Sequence, residues 1–267
     1  MELTVNGRRA YAYTAGRAIG AQRPSVVFVH GAANDHSAFL LQSRYFAYHG
    51  CNALAVDLPG HGRSDGPPLA SIGELADWIA SLLDAAGIGT AALVGHSMGS
   101  LAALECAARH PGRVRALALI GTAVPMAVGD VLMDAAREDS HAALDMLNIW
   151  GHSGAAQLGG NTVPGMWMTG TYLRLLERAK PQVLHVDLRA CAEYRDGLAA
   201  AAKVRCPTLL VLGRRDLLTP PRNAGELGNA IAGARTVFLE GTGHALMTEA
   251  PDAVLDALIG FADAAAR

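Results

Sequence analysis

The sequence has few cysteines, and they are scattered without close pairing. Only four occur among its 267 residues, at Cys51, Cys106, Cys191 and Cys206. A chain of this length buries its own core without disulfide bonds, so we interpret the four as reduced thiols and expect a cytoplasmic location. Cys106 and Cys206 fall in apolar runs, which favours buried packing over a reactive role.

An excess of charge of either sign is also missing. The 22 basic and 24 acidic side chains give a formal net charge of −2. Because no long basic run occurs, we predict no nucleic-acid partner and no membrane partner. No uninterrupted apolar segment approaches the ~18 residues that a membrane span needs. The first residues also lack the charged and apolar parts of a signal peptide, so the composition favours one sizeable globular domain.

What the chain does contain is a regular alternation of strand-like and helix-like segments. Residues 3–14 alternate in polarity around Asn6-Gly7, a dipeptide typical of a two-residue hairpin turn. Short apolar runs follow at residues 25–29, 52–57, 91–94, 114–121, 206–213 and 235–240. Helical patterns separate most of them, including residues 37–49 and 222–231, and a last helical pattern follows at residues 250–265. This alternation predicts an α/β fold with a mostly parallel eight-stranded sheet and helices on both faces.

The alternation stops between residues 124 and 203. That segment has the pattern of several helices around a glycine-rich break, so we predict a helical lid inserted after the sixth strand. Residues 1–123 and 204–267 would then form the core. Large apolar side chains in the insert, and the neighbours of the catalytic candidates, either line a substrate pocket or simply pack the insert onto the core. The candidate pocket residues are Trp150, Met166, Trp167, Met168, Leu217 and Ala245.

A Gly-x-Ser-x-Gly turn at residues 95–99 stands between an apolar run and a helix-forming run. A turn this tight pushes the side chain at its apex out of the sheet, and any bulk two residues to either side would clash. Gly95 and Gly99 remove that bulk. Ser97 at the apex is therefore our candidate nucleophile.

A serine hydroxyl needs an imidazole to take its proton and a carboxylate to orient that imidazole. In a parallel sheet the functional loops follow the carboxyl ends of the strands. Asp216 and His244 both stand in such loops, and His244 is the histidine that combines a strand end with neighbouring glycines. We therefore predict a triad of Ser97, Asp216 and His244. The acids that we consider weaker candidates are Asp130, Asp187 and Asp196.

Attack on a carbonyl group also requires about two hydrogen-bond donors for the oxyanion that forms. One donor should come from the residue after the nucleophile and one from the loop that follows the strand ending at His30. The corresponding donors are the backbone N–H groups of Met98 and Ala32. His30 itself is expected to orient that loop through a second hydrogen bond.

Taken together, these pieces resemble the α/β-hydrolase fold family over nearly the whole chain. The resemblance rests on His30-Gly31, Asp57-Leu58-Pro59-Gly60-His61-Gly62-Arg63-Ser64, Gly95-His96-Ser97-Met98-Gly99, Asp216 and Gly243-His244. It implies a serine nucleophile, a histidine base supported by an aspartate, an oxyanion hole from Ala32 and Met98, no metal and no cofactor. Together these motifs are specific for the fold and only weakly specific for the substrate.

Two departures narrow the activity that the resemblance implies. Ser97 stands where haloalkane dehalogenases and epoxide hydrolases carry an aspartate, which argues against both. Ala245 follows the histidine where C–C bond hydrolases are typified by tryptophan, which weakens that assignment. We predict hydrolysis of a small to medium, fairly apolar carboxylic ester, lactone or thioester through an acyl-Ser97 intermediate. The alternatives are a C–C bond hydrolase or lyase with the same triad, and a ligand-binding receptor with little turnover.

Overall fold

An eight-stranded sheet runs through the middle of the protein, as the sequence predicted. The computed structural model describes residues 1–160 and 165–265, with side chains up to residue 261. The strands are β1 (Glu2–Val5), β2 (Arg8–Tyr13), β3 (Ser25–Val29), β4 (Asn52–Val56), β5 (Ala91–His96), β6 (Val114–Ile120), β7 (Thr208–Gly213) and β8 (Arg235–Leu239). The predicted fold class is thereby confirmed.

The sheet is parallel except at one end. Its strand order is β1-β2-β4-β3-β5-β6-β7-β8. Strands β1 and β2 form an antiparallel hairpin around Asn6 and Gly7, which both have positive φ, and β2 is antiparallel to β4. The neighbouring strands from β4 to β8 pair in parallel. The loops that follow β3, β5, β7 and β8 therefore lie at one edge of the sheet.

Helices cover both faces of this sheet. Alternate residues of a strand point to opposite faces, and β3 is apolar on both. The helices that cover the sheet are α1 (Leu40–Tyr48), α2 (Ile72–Ala85), α3 (Met98–Arg109), α10 (Gly225–Ala230), α11 (Leu246–Glu249) and α12 (Pro251–Ala265). Val26 and Phe28 pack with residues of α1 and α12, whereas Val27 and Val29 pack with residues of α2 and α3.

In the described part of the segment between β6 and β7 there are six helices. They are α4 (Asp130–Arg137), α5 (His141–Gly151), α6 (Gly154–Gln157), α7 (Met168–Leu176), α8 (Val183–Glu193) and α9 (Gly197–Ala201). Leu132, Leu147 and Leu176 belong to an apolar cluster separate from the two that flank the sheet. In contrast, Cys191 and Ala201 pack into one of the sheet's own cores. The C-terminal end of α8 and the whole of α9 thus pack against the core. The division of the chain into core and lid at residues 124 and 203 stays a prediction. Residues 161–164 of this segment lie outside the described residues.

Helix boundaries differ from the sequence pattern in three places. The helix predicted over residues 37–49 begins with a 3-10 turn, His36–Phe39, because the Asp35 side chain caps Ser37 N. The helix predicted over 222–231 likewise starts as a 3-10 turn. The last helix is preceded by the short α11, since Pro251 has no N–H to continue a helix and instead starts α12. Among the described residues, no helix combines the length and apolar character needed to cross a membrane.

Candidate active site

Ser97 lies at the turn between β5 and α3, in a backbone conformation that few residues adopt. Its φ is 52° and its ψ is −121°, a strained combination that persists only where the surroundings enforce it. A Cβ at position 95 would collide with the backbone of Gly99, and one at position 99 would collide with the carbonyl oxygens of Val29 and His30. The two glycines are therefore required for the turn that presents Ser97.

His244 and Asp216 meet after the neighbouring strands β8 and β7. His244 Nδ1 lies 2.8 Å from Asp216 Oδ2, and both side chains are almost completely buried. The structure thus brings together the two residues that the sequence paired. The Nδ1 proton points to the carboxylate in this arrangement, so Nε2 is the nitrogen left to accept a proton.

Thr219 is a third participant in this pair, and sequence reasoning missed it. Its hydroxyl donates to Asp216 Oδ2 at 2.7 Å and lies 3.1 Å from His244 Nδ1. The backbone N–H groups of Leu218 and Thr219 donate to Asp216 Oδ1 at 2.9 and 2.8 Å. An aspartate followed two and three residues later by turn N–H donors is a local Asx pattern, which is the signal that could have indicated it.

Asp216 is held as a carboxylate by these contacts. Burial alone would raise its pKa, but the adjacent His244 ring and the hydrogen bonds from His244 and Thr219 outweigh burial. The pKa of Asp216 therefore lies below its usual value. A carboxylate that stays ionised can orient His244 and stabilise the imidazolium that forms during catalysis.

Two buried groups hold the His244 loop in place. His96 donates from Nε2 to the His244 carbonyl oxygen at 3.0 Å, and the two rings are 4.7 Å apart. Burial, and then the nearby His244, lower the pKa of His96 to about 3, so the ring is neutral. Glu249 accepts hydrogen bonds from the N–H groups of Gly243 and Ser153, which ties this loop to α6. Sequence reasoning assigned neither residue a role.

The loop after β3 lies against the elbow. A Cβ at Gly31 would come within 3.0 Å of Ser97 Cβ, so the absence of a side chain lets the two segments approach. Asn34 N donates to Gly31 O, which closes a turn over residues 31–34. Ala32 lines the same cavity as Ser97. Met98 is the first residue of α3, where backbone N–H groups have no partner within the helix.

The buried His30 links this loop to the one after β4. Its Nδ1 lies 2.8 Å from Gly31 O, and its Nε2 accepts from Leu58 N at 3.1 Å. Burial, and then the neighbouring His61, lower the pKa of His30 to about 4, so this ring is also neutral. His30 thus makes the orienting contact expected from its position.

The three weaker acid candidates lie elsewhere. Asp130 is the first residue of α4, Asp196 directly precedes α9, and both are exposed. Asp187 is buried, but it pairs with His61 at 2.8 Å instead of with His244. Of the four acids, Asp216 is the one that the structure places against His244.

A cavity of about 170 Å³ contains both Ser97 and His244. Its wall is mostly apolar. The residues that line it are Ala32, Asn34, His96, Ser97, Met126, Ala127, Val128, Gly129, Leu132, Leu147, Trp150, Tyr172, Leu188, Cys191, Leu217, Leu218, Thr219 and His244. A pocket of this composition suits an ester with a short or medium apolar chain.

The candidate pocket residues separate into two groups. Trp150 and Leu217 line the cavity, whereas the other four do not belong to its wall. Trp167 is 73% exposed, and Met168 is buried. Ala245 instead donates its N–H to Gly151 O at 2.8 Å. The chain between β6 and β7 and the loops after β7 and β8 lack a pattern that tells an inward side chain from an outward one, which is why the sequence could not separate these residues.

Three possible metal ligands approach one another outside this cavity, at Asp35, His36 and Asp57. Asp57 accepts from His36 N, His36 Nδ1 and Arg63 N. Asp35 accepts from Ser37 and pairs with Arg178. The protein's own donors thus occupy these carboxylates.

Known proteins of similar sequence and structure identify the family of this chain. The sequence pattern of the alpha/beta hydrolase fold matches residues 24–251. A pimeloyl-[acyl-carrier protein] methyl ester esterase from Neisseria meningitidis serogroup B is 34% identical over 238 residues, which are 82% of this chain and 85% of that protein. An enol-lactonase structure from Burkholderia xenovorans superposes with a TM-score of 0.87 at 25% identity, covering 98% of this chain and 100% of the other.

A second structure extends the fold comparison. An esterase from Exiguobacterium antarcticum superposes with a TM-score of 0.84 at 21% identity, covering 98% of this chain and 99% of the other. The family pattern spans the elbow, both flanking loops and the loops of Asp216 and His244. The chain therefore belongs to the α/β hydrolase fold family.

Proposed function

We propose that this enzyme is a serine esterase that cleaves a small to medium, apolar carboxylic ester, lactone or thioester. Hydrolysis of esters or lactones is the activity of the similar proteins, and the chain is a carboxylesterase-like hydrolase. The observation that carries the proposal is the buried His244–Asp216 pair, 2.8 Å apart, beside the cavity that Ser97 also lines.

The first half-reaction forms an acyl enzyme. Ser97 Oγ attacks the carbonyl carbon while its proton passes to His244 Nε2, and the carbonyl electron pair moves onto the oxygen. The backbone N–H groups of Ala32 and Met98 receive that oxyanion. When the tetrahedral intermediate collapses, the bond to the leaving alcohol or thiol breaks. The leaving group then takes the proton from His244.

The second half-reaction reverses these roles with water. His244 Nε2 takes a proton from a water molecule, whose oxygen attacks the acyl carbon in the same oxyanion hole. Collapse releases the carboxylic acid and returns the proton to Ser97 Oγ. Every proton transfer in this sequence uses His244, so the proposed reaction requires neither a metal nor a cofactor.

The composition of the cavity wall favours a substrate with an apolar acyl or alcohol group. Its wall includes Leu132, Leu147, Trp150, Leu188, Leu217 and Leu218. The names of the relatives include a methyl ester and an enol-lactone as substrates. A small-molecule ester or lactone fits these features. The absence of nucleic-acid and membrane partners and a cytoplasmic location stay predictions.

A substrate panel tests this proposal. The purified enzyme is assayed with p-nitrophenyl acetate, butyrate and octanoate, with five- and six-membered lactones, and with a C–C bond substrate. We expect rapid turnover of at least one ester or lactone and none of the C–C substrate. Turnover of the C–C substrate alone would favour the hydrolase or lyase alternative. Tight binding without turnover would favour the receptor.

A further inference from the structure

A second buried acid–histidine pair lies outside the proposed triad. Asp187 of α8 accepts from His61 Nε2 at 2.8 Å and from the backbone N–H of Ala33 at 2.9 Å, both at the same oxygen, Oδ2. The Asp187 and His61 side chains are each 2% exposed. One carboxylate oxygen therefore joins α8, the loop after β4 and the turn at residues 31–34.

Both nitrogens of His61 face acceptors. Nδ1 lies 3.0 Å from the carbonyl oxygen of Pro59, and Nε2 faces the Asp187 carboxylate. The ring satisfies both contacts only when both nitrogens carry protons. Burial alone would lower the pKa of His61, but the charge and hydrogen bond of Asp187 raise it above its usual value. The pair is thus a buried ion pair, and the centroid of the His61 ring lies 4.8 Å from that of the His30 ring, with the two rings tilted by 54°.

The Ala33 contact lies next to the proposed oxyanion donor. Ala33 has φ of 55°, in the left-handed region that alanine disfavours. The turn at residues 31–34 therefore needs an external contact to hold its middle peptide. Asp187 supplies one, since it binds the N–H of the Ala32–Ala33 peptide. The Ala32 N–H belongs to the preceding peptide, Gly31–Ala32, which is joined through the Ala32 Cα to the peptide that Asp187 holds.

We propose that Asp187 is a positioning residue for the oxyanion hole: its carboxylate fixes the turn at residues 31–34 and thereby aims the Ala32 N–H at the reacting carbonyl. This inference rests on the proposed function. Helix α8 also contributes Leu188 and Cys191 to the cavity wall. The helix that borders the substrate thus also sets the geometry of the hole.

Substitution of Asp187 tests the proposal. In Asp187→Ala the Ala33 N–H loses its acceptor, so the turn is no longer fixed. We expect kcat for p-nitrophenyl butyrate to fall about 10- to 100-fold, which is less than the loss caused by deleting an oxyanion donor. KM stays near the wild-type value, because ground-state binding uses the apolar wall. A butylboronic acid, which forms a tetrahedral adduct with a nucleophilic serine, loses affinity in parallel with kcat. Asp187→Asn keeps most of kcat, since the amide oxygen still accepts from Ala33 N–H.

Tyr194→Phe is the matched control. It removes another contact between this region and the core, the 2.6 Å hydrogen bond to Glu105, without touching the turn. We expect an unchanged kcat. If Asp187→Ala does not fold, Asp187→Ser replaces it. The serine hydroxyl lies one bond closer to the backbone than the aspartate oxygens, so it should not reach the Ala33 N–H.

Three outcomes would overturn the positioning role. A folded Asp187→Ala or Asp187→Ser enzyme with wild-type kcat and boronate affinity would show that the contact is only structural. Equal losses in Asp187→Asn and Asp187→Ala would assign the effect to the charge on His61. An inactive wild type would overturn the proposed function itself, and with it this inference.

Discussion

Asp216 has both carboxylate oxygens occupied although it is almost completely buried. Oδ1 accepts two backbone N–H groups, and Oδ2 accepts from Thr219 Oγ1 and His244 Nδ1. A buried charge is costly unless hydrogen bonds compensate for it, and here four donors do so. The same contacts keep the proton of His244 on Nδ1. At the scale of single residues, the proposed chemistry depends on this tautomer.

Asp216→Asn tests that dependence. The asparagine amide would donate to His244 Nδ1, which moves the ring proton to Nε2 and leaves no acceptor for the serine proton. We expect kcat to fall about 10⁴-fold while the fold is retained. The exposed variants Asp130→Asn and Asp196→Asn are controls and should keep wild-type kcat. A larger loss in either control than in Asp216→Asn would contradict the triad, and steady-state ester hydrolysis measures all three.

At the scale of elements, the strand–turn–helix unit of β5 and α3 has no space for a side chain at position 95. A Cβ at Gly95 would meet backbone atoms of Gly99 and Ser100, which cannot rotate away as a flexible side chain can. The exposed Gly112, after α3, has nothing within 4 Å of the same position. Neither Gly95 nor Gly112 has a positive φ. The two positions therefore differ in the space available for a Cβ atom, not in the sign of φ.

Gly95→Ala should therefore destabilise the protein, and Gly112→Ala should not. We expect the first to lower the free energy of unfolding by about 3 kcal/mol or more, since overpacking against backbone is costly. Urea denaturation followed by circular dichroism measures both. Equal stability of the two variants would show that the elbow relaxes more easily than its contacts indicate.

Two side chains of the cavity wall, Trp150 in α5 and Leu217 in the loop after β7, should set chain-length preference. Trp150→Ala and Leu217→Ala enlarge the cavity, so kcat/KM should shift towards octanoate over butyrate. One methylene in an apolar pocket is worth roughly 1–3 kcal/mol, which corresponds to about 10- to 200-fold. The exposed Trp167→Ala is the control and should leave the ratio unchanged. A shift in Trp167→Ala alone would show that the cavity wall is elsewhere.

At the scale of the whole molecule, the parallel sheet carries the proposed site on one edge. Its strands could be predicted because apolar runs and turn dipeptides such as Asn6-Gly7 are local signals. Ser97, Asp216 and His244 could be selected for the same reason, since each follows a strand. The contact between Asp187 and His61 could not be predicted, because the two residues are 126 positions apart in the sequence. Contacts at such separation leave no local pattern.

The buried histidines His30 and His96 make stability depend on pH. Their pKa values of about 4 and about 3 lie below the ordinary value of 6.5. The unfolded chain therefore binds protons that the folded chain does not as pH falls below 6.5. Their stabilising contribution is complete above that pH and is lost on acidification, by about 1.4 kcal/mol per pH unit for each histidine until its folded pKa is reached.

His96→Gln should reduce this dependence by one proton. Urea unfolding of wild type and variant at pH 7, 6 and 5 gives the two slopes, and contributions from all other groups, including His61 and Asp216, are common to both. We expect the variant's free energy of unfolding to fall less steeply below pH 6. Identical slopes would mean that His96 binds protons equally in the folded and unfolded states, so that its pKa is not lowered by folding.

Covalent labelling of Ser97 is the most direct test of the serine mechanism. A p-nitrophenyl phosphonate should add one phosphonyl group to the wild-type protein, and peptide mapping after intact-mass spectrometry should place it on Ser97. Ser97→Ala should gain no mass and should lose p-nitrophenyl butyrate hydrolysis by about 10⁴-fold or more with the fold intact. An actively hydrolysing wild type that stays unlabelled, or a Ser97→Ala variant that keeps its activity, would contradict the mechanism.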